Sequence, residues 1–159
     1  MAARHTPEDL AFLAAFEPTV VVDVEGLGPT CFCHGSPRSD EECVTERTPR
    51  QRVDAFMTGI DARVVVTAHV HVQYDRVVGD VRLTSPGSVG LPNEDRPGAY
   101  WALLGRDVEL RRTEYDVERT IRLLRATGDP GVETIVTLLL DPPSREEAIE
   151  DAERLVFAG

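Results

Sequence analysis

An α/β fold (α+β in the order of its elements), one domain over residues 1–159, is what the sequence predicts, and three observations predict it. The segment Ala62–Ala68, ARVVVTA, is a continuous apolar run of strand length, the pattern of a strand buried on both faces. Runs rich in β-branched residues recur between glycine-containing turns from Thr19 to Tyr115. Beyond Asp116 the apolar spacing changes to that of amphipathic helices. With 42% hydrophobic and 28% charged residues, a chain of 159 can bury a core without disulfide staples.

Each element follows from local chemistry. Thr6 caps a short helix with Pro7 at its first position, Glu8 and Asp9 in its first turn and Leu10, Leu13 and Ala14 at helical spacing, ending before Pro18. TVVVDVEG (19–26) and PTCFCHG (29–35) form a hairpin whose second strand ends at His34 and Gly35. Ser36–Pro49 is polar and is expected as a surface loop; TPRQRVDAFMTGI (48–60) then starts a capped helix. After the buried strand, QYDRVVGDVRLTS (73–85) reads as strand, Gly79–Asp80 turn and strand, followed by the glycine-rich loop PGSVGLP (86–92). GAYWALLG (98–105) and DVELRRTEY (107–115) pair across Gly105, Arg106 and Asp107. Three helices close the chain over 117–127, 131–140 and 144–156, the last two separated by Pro142 and Pro143. They are expected to cover one sheet, with Glu146, Glu147, Glu150, Asp151 and Glu153 forming a solvated face.

Charge excludes several functions. A formal net charge of -11 argues against a surface that tracks a nucleic-acid backbone or docks on anionic lipid. No apolar run approaches the ~20 residues that cross a bilayer. Three cysteines, Cys31, Cys33 and Cys43, cannot all pair within one chain, and no signal peptide opens it, so a reducing, cytoplasmic setting is expected.

The chemistry concentrates in histidines. Two of the four, His69 and His71, stand one residue apart just past the buried strand, and His34 ends another strand. Converging neutral imidazoles suit a first-row transition metal, because each offers one lone pair and is oriented through its other nitrogen. His5 precedes a helix and is expected in solvent. Cys31, Cys33 and His34 invite a zinc reading, but strand alternation puts the two thiols on one face and His34 on the other, so the cysteines read as small buried residues. Cys43, in the polar loop, is a candidate reactive thiol without an evident activating base. The SPGSVGLP loop lacks the lysine and following helix of a P-loop and reads as a glycine-rich turn beside the histidines.

CHGSP, then AHVHVQYDR, then SPGSVGLP, in that order, resembles the calcineurin-like metallophosphoesterases, in particular their small bacterial phosphodiesterase branch. The resemblance implies part of a four-layer αββα sandwich with mixed sheets and C-terminal helices. It implies two divalent transition-metal ions, Mn first and Fe, Ni, Co or Zn as alternatives. His34 and His69 would ligate one ion and His71 the other, and a bridging hydroxide would attack a small-molecule phosphoester. Ala68, Val70 and Ser85 depart from the family's usual glycine, threonine and asparagine. The family's first three motifs, which supply carboxylates, a further histidine and an asparagine, are absent: Asp23 has no histidine two residues on, and no Gly-Asn occurs. The chain therefore reads as an N-terminally truncated C-terminal part of such an enzyme, with MAARHTPEDL like the middle of a longer protein. The expected partners are a missing N-terminal half or another copy in a homo-oligomer, since exposed apolar surface and an unpaired sheet edge would otherwise remain. A non-catalytic module that keeps the fold as a binding surface is the alternative.

Overall fold

The computed structural model describes residues 5–155. The opening Met1–Arg4 stretch and the expected end of the last helix at Val156 lie outside them. Chain order is α1 (Pro7–Ala14), β1 (Thr19–Val24), β2 (Gly28–Cys33), α2 (Arg50–Phe56), β3 (Val64–Val66), β4 (Gln73–Val78), β5 (Val81–Pro86), β6 (Ala99–Leu104), β7 (Val108–Thr113), α3 (Val117–Ala126), α4 (Val132–Leu140) and α5 (Arg145–Arg154).

Five strands form a mixed sheet in the order β1-β2-β3-β5-β4. The hairpins β1–β2 and β4–β5 are antiparallel, and β3 joins them by pairing in parallel with β2 and β5. Valine at three consecutive positions suits β3, which lies at the centre of the sheet. One face buries Cys31, Val65, Leu83, Tyr74 and Val78 against Val53 and Phe56 of α2. That helix begins at Pro49 without a side-chain cap, so the capped start expected at Thr48 is replaced by a proline start.

The hairpin β6–β7 is a second, two-stranded sheet. Its stitches to the larger sheet are specific: Gln73 Nε2 donates to Trp101 O and Arg111 O at 3.1 Å, and Arg82 joins Asp75 at 2.6 Å and Asp107 at 2.5 Å. At the hairpin tips a Cβ on Gly26 would lie 2.5 Å from Arg106 Cα, so only glycine permits this approach.

Two expectations change. The 36–49 segment is irregular but not superficial: Ser36, Glu42, Cys43, Val44, Thr45 and Thr48 are buried. A polar sequence tolerates burial here because Glu42 accepts from Ser36 Oγ at 2.6 Å and from Arg38 at 2.7 and 2.8 Å. Likewise α5 does not cover a sheet: Ile149 and Ala152 pack on Cys43, Val70 and Val72. Glu153 is drawn inward too, accepting from Thr48 Oγ1 at 2.8 Å and from Thr45. Helices α3 and α4 contact each other and, with Val89, Leu91 and Ala99, line an apolar cleft of about 360 Å³.

At the opposite margin β1 is an edge strand with Val20, Val21 and Val22 exposed at 48%, 50% and 46%, so neither of its faces is covered. Helix α1, closed by the Thr6–Asp9 capping box, buries no residue and leaves Leu10, Phe12, Leu13 and Phe16 exposed.

Candidate metal centre

Parallel pairing of β2 and β3 brings their carboxyl ends to the same margin of the sheet, and this is what gathers the histidines. Beyond β2, Ala68 N donates to His34 O at 2.8 Å, tying the two exits together. Gly35 then allows a reversal that no side chain would: a Cβ there would meet Glu42 O at 2.6 Å, Ser39 O at 2.7 Å and Asp40 O at 2.9 Å. The turn is closed by Ser36 N donating to Ser39 O at 2.7 Å and is anchored beneath by Glu42.

His34 Nε2 and His69 Nδ1 stand 3.1 Å apart, a hydrogen bond in which one ring donates its N–H to the other, with the rings edge to face. His69 has φ 64° and His71 φ 63°, the only non-glycine residues in the left-handed region among those described. At His69 the bend is a γ-turn of the rare positive-φ kind, closed by Val70 N donating to Ala68 O at 2.7 Å. Such conformations cost on the order of 1–3 kcal/mol and persist where surrounding structure enforces them. The alternation that strand geometry would impose is thus replaced by two bends, which the apolar pattern of Val64–Val72 does not reveal.

His71 Nδ1 lies 2.8 Å from Leu91 O. A carbonyl oxygen only accepts, so Nδ1 carries the proton and the neutral ring keeps its lone pair on Nε2. Burial, then the neighbouring charges of His34 and His71, hold the His69 imidazolium below its ordinary range, with Asp40 and Glu41 opposing. His69 is therefore held toward the neutral, ligating form.

The donor set fits a transition metal in kind and in spacing. Two nitrogens about 2.1 Å from one ion are separated by about 3.0–3.4 Å, which the His34–His69 distance matches, and a ring whose other nitrogen donates to a carbonyl is oriented as metal-ligating histidines are. It falls short in number: among the described residues no group of three or more His, Cys, Asp or Glu side chains is arranged to hold an ion. The structure brings His34 and His69 into contact and places His71 next in line. His5 is exposed, as expected.

The cysteines do not join this centre. Cys31 is buried and Cys33 half-buried; burial raises both thiols, Cys33 to about 12, aided by the neighbouring Cys31. Cys43 is buried against α5 and its thiol is raised by burial, which overturns its reading as a reactive group. Sequence reasoning missed Glu42, whose side chain anchors the turn after His34, Leu91, whose carbonyl meets the His71 ring, and Asn93, whose side chain and backbone hold Val70 O and His71 O. The PNE sequence after the glycine-rich loop was the one available signal for Asn93, and it carries no periodicity.

No protein-family model matches the chain, and no curated protein matches it either. Solved structures do. A hypothetical protein, PH1004, from Pyrococcus horikoshii OT3 superposes with a TM-score of 0.68 at 20% identity, over 86% of this chain and 55% of that one. A metallophosphoesterase from Sphaerobacter thermophilus superposes with a TM-score of 0.64 at 21% identity, over 89% and 64%. The chain thus spans between half and two thirds of the length of these two structures. A five-stranded mixed sheet, a two-stranded sheet and five helices that superpose on a metallophosphoesterase over 89% of the chain make this the metallophosphoesterase fold.

Proposed function

We propose that the chain is the histidine-bearing part of a metal-dependent phosphoesterase or phosphodiesterase acting on small-molecule phosphoesters. The observation that carries this reading is the convergence of His34 Nε2 and His69 Nδ1 at ligand spacing, beside a His71 ring oriented by Leu91 O. His34 and His69 would hold one divalent ion and His71 a second, Mn first among the candidates. Bound divalent metal supplies positive charge that acidifies water and neutralises phosphoryl oxygens, which a chain of net charge -11 otherwise repels. The protein's own part is to keep His69 neutral and to hold all three rings in place. A partner polypeptide that adds carboxylates and covers Val20, Val21 and Val22 would complete both the centre and the sheet. Among the described residues no helix is long and apolar enough to cross a membrane.

The test is metal content. Untagged protein dialysed against trace Mn and Zn is expected to retain metal, and His34→Ala, His69→Ala and His71→Ala each to lose it; equal content in all four proteins sinks the proposal. The missing third donor favours one second reading, a non-catalytic module using the same surface. A folded wild-type chain that retains no metal supports that reading.

A further inference from the structure

His71 is held in an unfavourable conformation by groups that lie outside its own segment. Three hydrogen bonds tie Val70 and His71 to residues 91–93. His71 Nδ1 donates to Leu91 O at 2.8 Å, Asn93 N donates to His71 O at 3.1 Å, and Asn93 Nδ2 donates to Val70 O at 2.9 Å. The last two have a particular geometry. Val70 O belongs to the peptide plane that precedes the His71 Cα and His71 O to the plane that follows it. The rotation of these two planes about the Cα is what φ and ψ measure. Asn93 therefore grips both planes, one through its side chain and one through its backbone.

The contrast with His69 sharpens the assignment. That residue's bend is closed by a backbone hydrogen bond, Val70 N to Ala68 O, and among the described residues no side-chain hydrogen bond to Ala68 O or His69 O accompanies it. Farther along, Gln73 N donates to Glu94 Oε1 at 2.6 Å and Arg145 Nη1 to Gln73 O at 2.9 Å, so the segment is fixed on its far side as well. At His71 the two flanking carbonyls, Val70 O and His71 O, are both held by Asn93.

We infer that Asn93 is a positioning residue for His71: by holding Val70 O and His71 O it sets the left-handed backbone that lets Nδ1 reach Leu91 O and leaves Nε2 free to ligate. The ligating part rests on the proposed metal reading; the positioning part does not. Asn93→Ala removes the side-chain grip and keeps the backbone one. Asn93→Ser removes the same grip, since its hydroxyl is too short to span to Val70 O, while keeping a polar side chain at the site.

Two readouts on the full chain separate the possibilities. Long-range nitrogen–proton spectra of the imidazoles, recorded without metal at pH 8, are expected to show His71 protonated on Nδ1 in the wild type. In either folded variant its signal should move toward the Nε2-protonated form, with the His5 signals unchanged. A merely structural role would lower the melting temperature and leave the His71 tautomer of the folded protein as it was, and that result overturns the inference. Calorimetric titration with Zn²⁺ is expected to show a 10–100-fold weaker site in the variants, the loss typical of groups that orient a ligand. No Zn²⁺ binding by the wild type would instead defeat the metal reading, with the tautomer still deciding the role of Asn93. If Asn93→Ala does not fold, Asn93→Ser carries both measurements; an unshifted tautomer and unchanged Zn²⁺ affinity in it refute the assignment.

Discussion

Glu42 shows what a single side chain does beneath the candidate centre. Burial pushes its carboxyl up, but hydrogen bonds from Arg38 and Ser36 and the charges of Arg38 and Arg52 outweigh that and leave it below the usual carboxylate range. The unfolded chain, with the ordinary value, therefore takes up the proton first as pH falls. The contribution of Glu42 is present above the ordinary value of 4.5 and is lost as pH drops through the lower folded one. Removing the charge leaves Arg38, which reaches solvent, and Arg52, which keeps Glu153, facing a neutral amide, so Glu42→Gln is expected to destabilise by about 1–3 kcal/mol at neutral pH. Urea titrations at pH 7 and in the acid range should also show a shallower acid loss in the variant. The thiols give a second check. With Cys31 and Cys43 buried and Cys33 raised to about 12, the native protein should show no fast thiol toward Ellman's reagent at pH 8, and all three after denaturation. Prompt reaction of Cys43 would contradict its burial.

Individual elements were legible where pattern and packing agree. The strands, the three hairpins and the last three helices follow from β-branched runs, glycine turns and helical spacing, and among the described residues the structure has them within a residue or two. The loop at 36–49 was misread because a carboxylate can be buried when Ser36 and the partly exposed Arg38 and Arg52 satisfy it, and composition registers only their polarity. Helix α5 was misread for a related reason: its acidic residues hide an inward stripe of only Ile149 and Ala152. This stripe supports Val70 and Val72, which flank His71. Ile149→Ala is accordingly expected to cost about 2–5 kcal/mol, measured by chemical denaturation. A loss under 1 kcal/mol would mean that α5 is not seated on that segment. At the centre itself the sequence identified which histidines meet, through strand ends and motif order. The bends that aim them were hidden, because left-handed histidines leave no periodic trace.

The whole molecule is unevenly covered. Helix α2 closes one face of β2, β3, β4 and β5, and β6–β7 contacts β4 and β5, whereas β1 and α1 present apolar side chains to solvent. A strand of six residues without proline, lysine or bulge at a free edge is a template for pairing. The isolated chain is expected to bind an apolar dye such as ANS and to self-associate in sedimentation experiments. Val21→Lys should reduce both effects, and a dye-silent monomeric wild type would show that this margin needs no cover. The contact between Gly26 and Arg106 at the hairpin tips has a consequence for assembly. It joins two points eighty residues apart in the chain, so loop-closure entropy opposes it until the intervening strands are in place. The joint should be among the last to form and the first to part. Gly26→Ala is then expected to speed unfolding in stopped-flow measurements while leaving the folding rate nearly unchanged, so that a wedge of one methyl group sets how long the native state survives and not how quickly it is reached.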